Sequence, residues 1–395
     1  MLRLHASSGT EVVDGLRGLA VLLVVSFHTY LFSWLTPSLT VFGFAVPLWV
    51  VPRTGFLGVD LFFLISGFCL CFPYARAHLE GKRAPEVRDF AERRFVKIVP
   101  SYALALTATV LVALPAFSNA ADLGFTVFNH AFFFNNSFDD RLGYTNSVFW
   151  SLAPEVQFYL LFPFLIGPFV RRPLVVAGLM AAAALGYRLW FAGCCLSLET
   201  VMRQLPAYLD VFACGMLAAY AFVYLRGRLP DSPRTRALAT VLAIGLAAAA
   251  WQLLCQANAS LDLPAGHQRW EVVHRTLLAA VVGAMTVASC FAARWWRVAI
   301  GNPALVFLSL ISYNLYLWHT LVEIWMVNHR IPAPSTADPH ADPAWQVVYV
   351  LYGVGASLAI SAAITYFIER PILSVRKPLP FSFSYRRGRP IPAPD

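Results

Sequence analysis

Ten runs of about 20 mostly apolar residues constrain the fold of this chain more than any other feature. Hydrophobic residues make up 58% of the 395 residues and charged residues only 13%, whereas soluble domains carry about 25% charged residues. A helix satisfies its own backbone hydrogen bonds, which is what a solvent without water requires. The sequence therefore predicts an all-α, polytopic membrane protein built as a helical bundle. The predicted spans are residues 13–33, 56–75, 98–117, 147–168, 173–193, 205–225, 237–256, 272–293, 302–327 and 346–368.

The loops between these spans alternate in basic content. If the N-terminus is cytoplasmic, the loops on that side hold most of the 30 lysines and arginines, as the positive-inside rule expects. Both termini are therefore predicted to be cytoplasmic, and the net charge of +9 reflects orientation in a lipid bilayer rather than a nucleic-acid partner. We expect one membrane domain over residues 1–375 and a disordered, Pro- and Arg-rich tail over residues 376–395.

The first span carries an arginine near one end, Arg17, and a histidine eleven residues later, His28, within DGLRGLAVLLVVSFH. Eleven helical steps of 100° bring them to within about 20° of one face, about 16 Å apart along the axis. Ionisable residues within a span are costly to desolvate, so by default they face a cavity or a partner rather than lipid. This face is the first candidate for a functional site.

Further ionisable residues within predicted spans include Asp60, Glu155, His319 and Glu323. Counting along each helix puts all four in the outer half of the bilayer, together with the histidine of the first span, whereas its arginine stays near the inner side. This arrangement suggests chemistry that joins an inner cationic anchor to an outer acid-base group. Histidine is a natural general base toward a hydroxyl, and arginine suits phosphate or carbonyl groups.

The most basic inner loop ends in Arg93, Arg94 and Lys97 at the start of the third span. This cluster could serve topology alone, bind anionic lipid headgroups, or hold the phosphates of a cytosolic ligand. Spans five to eight are rich in Ala, Leu and Gly, and we interpret them as chemically quiet scaffold. Within them, Arg275 could line an outer mouth or extend to the interface. In the tenth span, we expect Glu369 to mark the inner interface.

The cysteines give no sign of a metal site. Seven cysteines lie in or beside the spans without CxxC or Cys/His ligand spacing, so we expect packing roles and no metal. Cys194 or Cys195 could meet Cys255 on the outer side. The chain also lacks HExxH, GxSxG, P-loop and dinucleotide-binding patterns.

Six motifs follow one another along the chain. They are DGLRGLAVLLVVSFH, GVDLFFLISGF, RRFVKIVPSY, WSLAPEVQFYLLFP, ISYNLYLWH and YFIERP. In this order they resemble the membrane-bound acyltransferase-3 family, and the resemblance runs from residue 14 to about residue 372. Lys97 stands where the RRxxR-like stretch of the family has an arginine.

The resemblance implies transfer of an acyl group, usually acetyl, from cytosolic acyl-coenzyme A to a hydroxyl of an extracytoplasmic or lipid-linked glycan at the bacterial inner membrane. The family's essential R-x10-H pair corresponds to Arg17 and His28. We take His28 as the general base, with Glu155 as a further catalytic candidate. The donor would be anchored by Arg17, Arg93, Arg94 and Lys97. Candidates for the acceptor side are Asp60, His319, Glu323, Ser66 and Tyr313.

Several alternatives stay open from sequence. Ser66 could act as a nucleophile, but close helix packing by Ser66-Gly67 is the simpler reading, and direct transfer is the simpler mechanism. Some family members carry an added C-terminal esterase-like domain; we expect transfer here to be completed by the membrane unit. The same buried ionisable groups could instead serve a transporter or flippase. An acyltransferase with a small-molecule acceptor such as a macrolide is also compatible with the sequence, and the oligomeric state is not predicted.

Overall fold

The computed structural model describes residues 10–41, 44–138, 141–193, 198–336 and 338–374. These residues are mostly helical, with one two-stranded antiparallel hairpin of β1 (Leu39–Val41) and β2 (Phe44–Val46). The predicted tail 376–395 and the cysteines Cys194 and Cys195 lie outside the described residues. The helices are α1 (Thr10–Ser33), α2 (Val50–Thr54), α3 (Gly58–Leu79), α4 (Val87–Ala113), α5 (Ala120–Ala131), α6 (Asn135–Phe138), α7 (Phe149–Arg171), α8 (Pro173–Ala192), α9 (Leu198–Met202), α10 (Leu209–Arg226), α11 (Pro233–Ser260), α12 (Pro264–Phe291), α13 (Arg294–Ile300), α14 (Pro303–Asn328), α15 (Pro343–Ile364) and α16 (Arg370–Ser374).

Ten helical segments of the described chain are long and apolar enough to cross a membrane, which confirms the predicted number. They are α1, α2 with α3, α4, α7, α8, α10, α11, α12, α13 with α14, and α15 with α16. The third differs most from its predicted bounds, since α4 begins at Val87. The polar residues 87–97 continue this helix for about three turns beyond its apolar part. We call the end of the bundle where α3 ends and α4 begins the basic side.

Helices α3 and α10 form one of the closest contacts in the bundle. A Cβ added at Gly67 would lie 2.3 Å from the carbonyl oxygen of Phe212, and one added at Gly215 would lie 1.9 Å from that of Leu64. Only glycine allows two backbones this close, which is a common way to pack helices within a membrane. The prediction that Ser66-Gly67 serves close helix packing is confirmed for the glycine.

Helix α1 packs on α14, α3 and α2. Val12, Ala20, Val21 and Val24 on this helix are fully buried. Its ionisable side chains therefore lie among other helices rather than in lipid, as their desolvation cost requires.

The interpretation of spans five to eight as chemically quiet is wrong. Arg188 on α8 donates to both carboxylate oxygens of Asp210 on α10, at 3.2 and 2.7 Å, and both side chains are 0% exposed. Thr276 on α12 also donates to Asp210, at 2.5 Å. A single buried ion pair hardly changes the average hydropathy of a span, so hydropathy alone misses it.

A second buried ion pair joins α12 to α3. Arg275 donates to both carboxylate oxygens of Asp60, at 2.6 and 2.7 Å, and also pairs with Glu271. Its guanidinium lies over the ring of Tyr208, 5.1 Å from the centroid. Arg275 is 4% exposed, so it neither lines an outer mouth nor extends to the interface.

Glu369 lies at the end of a π-helical turn, Thr365–Glu369, that follows α15. This carboxylate is 5% exposed and accepts hydrogen bonds from Lys97 on α4 and from Asn314 on α14. Glu369 is therefore paired inside the protein, and its position at the inner interface stays a prediction. A π-turn changes the phase of a helix, and such turns are frequent at functional sites.

Candidate functional site

A polar cavity of about 200 Å³ lies between α1, α3, α4, α7 and α14. Each of the five helices contributes at least one polar or charged side chain to its lining, beside apolar ones. Such a combination is typical of ligand-binding cavities. The sequence-predicted residues that line it are Arg17, Ser66, Arg94, Lys97, Glu155 and Tyr313. Six side chains predicted from separate motifs are therefore brought together.

Arg17 faces this cavity from α1. One guanidinium nitrogen lies 3.1 Å from the thiol sulfur of Cys69 on α3, and another lies 3.7 Å from a carboxylate oxygen of Asp14. The Asp14 side chain is 51% exposed. A carboxylate this exposed is well hydrated and interacts only weakly with the guanidinium. The positive charge of Arg17 is therefore available to an anionic ligand.

Glu155 accepts hydrogen bonds within the same cavity from two hydroxyl groups. Ser66 donates to it at 2.5 Å, and Tyr159 donates from the next turn of α7. Ser66 lies near the middle of α3, so Glu155 is level with the middle of that helix. α7 starts inside the protein: Phe149, its first residue, is 1% exposed.

A second cavity, of about 440 Å³, opens on the basic side between α3 and α4. It is larger than the polar cavity, and the two share three residues: Cys69, Arg94 and Lys97. These three side chains form the boundary between the two spaces. A ligand that occupied both would pass between the thiol and the two cationic groups.

The basic side chains around this second cavity differ in how far they are neutralised. Arg76 and Lys82 both donate to Glu80. Burial raises the pKa of Glu80, but the hydrogen bonds from Lys82 and Arg76 outweigh burial and hold the pKa below its usual value. Among the residues that the structure describes, Arg93 and Arg94 make no ion pair with a carboxylate. These two arginines are the cations most available to an anionic ligand.

Lys97 is held at the boundary between the cavities by Glu369. The ammonium group pairs with this buried carboxylate and lies 5.6 Å from the centroid of the Tyr313 ring. The hydroxyl of Tyr313 donates to the backbone carbonyl of Ile98. Lys97 is thus more constrained than a lysine placed only for topology would be.

His28 and His319 form a pair beyond the cavity. Nε2 of His319 lies 3.1 Å from Nδ1 of His28. Nδ1 of His319 also lies 2.9 Å from the carbonyl of Leu315, and Nδ1 of His28 lies 3.0 Å from that of Val24. A carbonyl oxygen can only accept, so in the neutral pair each histidine carries its proton on Nδ1. Nε2 of His319 and the carbonyl of Val24 then share the single Nδ1 proton of His28, and Nε2 of His28 carries a lone pair.

Aromatic residues connect the cavity to this pair. Tyr316 lines the cavity, and its ring centroid lies 6.1 Å from that of His319. Phe62, which also lines the cavity, packs edge-on against Tyr316 at 5.6 Å. The hydroxyl of Tyr316 pairs with Ser151. A single layer of side chains therefore separates the end of the cavity from the two histidines.

Two predicted acceptor-side residues lie elsewhere and have their own partners. Asp60 pairs with Arg275, as described above. Glu323 is 0% exposed and accepts a hydrogen bond from Thr29, which follows His28 on α1. His319 and Glu323 thus both face α1, as their four-residue spacing predicts.

Sequence reasoning missed Cys69, Tyr316 and Glu369 as parts of the site. Glu369 could have been found, because a carboxylate beside the apolar end of a span is costly unless it is paired. Cys69 and Tyr316 carry no such signal, since a cysteine or tyrosine in a span is ordinary packing material. Among the described residues, no group of three His, Cys, Asp or Glu side chains is placed to hold a metal ion.

Comparison with known proteins identifies the family. The sequence model of the acyltransferase-3 family, described as an acyltransferase domain, matches residues 11–366. The chain belongs to this family. The match covers all ten spans except the last residues of the tenth, and it contains every cavity residue named above. No solved structure matches the chain.

Curated relatives of this family member are named as O-acetyltransferases or transacylases. The peptidoglycan O-acetyltransferase OatA of Listeria monocytogenes is 25% identical over 381 residues, which are 91% of this chain and 55% of OatA. The putative membrane-bound transacylase BcsY of Komagataeibacter xylinus is 27% identical over 327 residues, 78% of this chain and 71% of BcsY. The chain thus spans about half the length of the peptidoglycan O-acetyltransferase that it matches. It carries the family's acyltransferase domain, and its ten apolar helices make it a multi-pass membrane protein.

Proposed function

We propose that this acyltransferase transfers an acyl group, acetyl in the simplest case, from cytosolic acyl-coenzyme A to a hydroxyl of an extracytoplasmic or lipid-linked carbohydrate. One observation carries the proposal: the basic cavity adjoins the polar cavity at Cys69, Arg94 and Lys97, and the polar cavity ends one layer of side chains from the histidine pair. In a bacterium this would be a reaction across the inner membrane.

The donor would enter from the basic side. Its phosphates match the cations of the basic cavity, where Arg93 and Arg94 have no carboxylate partner among the described residues. Arg17 and Lys97 lie further along the same route. The distance of about 16 Å between Arg17 and His28 along α1 is comparable to an extended pantetheine arm. A coenzyme A held at its phosphates could therefore present its thioester close to His28.

The chemical step needs one base, and His28 supplies it. Nε2 of His28 accepts the proton of the acceptor hydroxyl while the hydroxyl oxygen attacks the thioester carbonyl. A carbon–oxygen bond forms, the carbon–sulfur bond breaks, and the departing coenzyme A thiolate takes the proton from His28. His319 acts through His28 as a positioning residue, because it accepts the hydrogen bond that keeps the Nδ1 proton in place.

We propose a carbohydrate acceptor because of the names of the relatives. OatA is named a peptidoglycan O-acetyltransferase. We place the acceptor hydroxyl at Nε2 of His28 on the side opposite the basic cavity, because that cavity is assigned to the donor. Glu155 and Ser66 hydrogen-bond to each other at 2.5 Å within the polar cavity. We assign them to the donor side of the reaction rather than to the acceptor.

The test is release of free thiol from acetyl-coenzyme A by purified protein in nanodiscs, with peptidoglycan fragments and other glycans as acceptors. We expect release with the wild type and losses between about 100-fold and 10,000-fold for His28→Ala. Arg93→Ala should raise the KM for the donor and leave kcat nearly unchanged. Arg88→Ala is the matched control, since Arg88 lies on the same helix outside both cavities, is 86% exposed and pairs with Glu92. Full activity of His28→Ala would overturn the assignment, and absence of both donor binding and thiol release would favour a transporter.

A further inference from the structure

Helix α5 turns its polar residues toward the protein and its large apolar residues away from it. Asn129 and His130 are 3% and 1% exposed, whereas Phe125, Phe128 and Phe132 are 50%, 54% and 60% exposed. At 100° per residue the three phenylalanines fall within about 60° of one another. A helix at a water-exposed surface has the opposite arrangement, with its apolar face toward the core.

The apolar face of α5 continues the lipid-facing surface of the third span. α4 ends at Ala113, and residues near that end are also strongly exposed: Leu111 at 61%, Val112 at 46% and Leu114 at 43%. α5 follows within a few residues and is only 12 residues long. Such a helix is about 18 Å in length, too short to cross the membrane but long enough to lie along its surface.

The distribution of charged residues in α5 agrees with a position along the membrane surface. Asp122, in the first turn, is the only Asp, Glu, Lys or Arg in α5. It lies beside the N-cap residue Asn119, whose side chain accepts from the Asp122 backbone N–H at 2.9 Å. The phenylalanine face therefore carries no charge that a bilayer would reject.

We propose that α5 is an in-plane interfacial helix that embeds Phe125, Phe128 and Phe132 in the leaflet at which α4 ends. The occupant of this face is phospholipid at the boundary between headgroups and acyl chains, where amphipathic helices bind through their apolar side. No second protein is needed to explain the exposure.

The lipid contact also braces the helices that line the polar cavity. The hydroxyl of Tyr102 on α4 donates to the carbonyl of His130 at 2.9 Å, and the Tyr102 ring stacks on Phe133 at 4.8 Å. Gln157 on α7 donates to the carbonyl of Phe133 at 3.2 Å. α5 and the residues directly after it are therefore connected to both α4 and α7. The contact on α7 is made by Gln157, which lies two residues after Glu155.

Photo-crosslinking tests the proposal on the full-length protein. Benzoylphenylalanine replaces Phe128 in protein reconstituted with labelled phosphatidylethanolamine and phosphatidylglycerol. The lipid control is Phe164, which is 77% exposed near the middle of α7, and the water control is Asp338, which is 70% exposed in the loop before α15. We expect lipid adduct at Phe128 within about twofold of that at Phe164, as for a residue at the acyl boundary.

A separate variant with the probe at Phe125 must give the same result, because the two residues share the face. This second site keeps the test decisive if the first variant fails to fold. Adduct at the level of Asp338 would overturn the proposal. Crosslinking to a second copy of the protein in place of lipid would also overturn it, since the face would then be a protein interface.

Discussion

The ring of His319 lies directly against that of His28, with their centroids 4.9 Å apart at an angle of 67°. The two residues are 291 positions apart in sequence, on α14 and α1. Because both Nδ1 atoms face backbone carbonyls, the contact fixes which nitrogen of His28 is free. The base of the proposed reaction therefore depends on a residue that need not touch either substrate.

His319→Ala should lower kcat by about 10- to 100-fold, the loss expected when a hydrogen bond of about 1.5–3 kcal/mol to a group that becomes charged is removed. His319→Gln should recover part of this loss, since its amide oxygen can accept from Nδ1 of His28. The KM for the donor should stay the same in both variants, because the basic cavity is untouched. Steady-state kinetics of thiol release measure both constants. Equal kcat values for the alanine and glutamine variants would contradict the positioning role.

Ser66→Ala should keep the rate within about fivefold of the wild type, whereas loss of a nucleophile would abolish transfer. The hydroxyl donates to Glu155 at 2.5 Å, so its loss removes one hydrogen bond, about 1 kcal/mol or roughly fivefold in rate. Direct transfer also predicts that the wild type carries no stable acyl group after a single turnover. Intact-mass analysis of protein mixed with acetyl-coenzyme A without acceptor measures this. An added acetyl mass that disappears in Ser66→Ala would instead establish a serine-bound intermediate.

The sequence predicts the fold well because the fold depends on hydropathy, a property that is local to each span. The face shared by Arg17 and His28 follows in the same way from helical periodicity within one span. The partner of His28 does not follow, since nothing in the first span identifies His319 as the residue opposite. The partners of Glu155 do not follow for a related reason: the apolar run of α7 does not reveal which neighbouring helices bury its first residues.

Gly67→Ala should destabilise the protein far more than a glycine replacement elsewhere. The added methyl group would lie 2.3 Å from the carbonyl oxygen of Phe212, so α3 and α10 would have to separate. Overpacking of this kind costs about 1–3 kcal/mol. Gly245→Ala on α11 is the matched control, because nothing lies within 4 Å of its added Cβ. Thermal unfolding in detergent compares them, and equal midpoints would contradict the close packing.

Glu369→Gln should weaken donor binding as well as stability. The buried carboxylate holds Lys97 at the boundary between the two cavities, and the amide removes the charge that the lysine pairs with. Lys97 is 38% exposed, so we expect a loss of about 2 kcal/mol, below that of a fully buried pair. Lys97→Met combined with Glu369→Leu should restore stability without restoring donor affinity. Calorimetric titration with coenzyme A separates the two effects, and full affinity in the double variant would show that Lys97 does not contact the donor.

Asp210→Asn should be the most destabilising charge change, with little effect on the specific activity of the protein that folds. Asp210 and Arg188 are 0% exposed, and removing one partner leaves the other charge buried, at a cost of about 3–5 kcal/mol. Asp231→Asn is the matched control: Asp231 pairs with Arg236 at 2.8 Å, but its side chain is 86% exposed, so the expected cost is below about 1 kcal/mol.

Arg188→Met combined with Asp210→Leu should recover most of the stability, since apolar residues of similar volume replace both charges. Thermal unfolding of the three variants beside the wild type measures this. Because Arg188 and Asp210 line neither the polar nor the basic cavity, donor affinity should remain that of the wild type in the double variant. A loss of affinity there would mean that this ion pair positions α10 against the α3 side of the site.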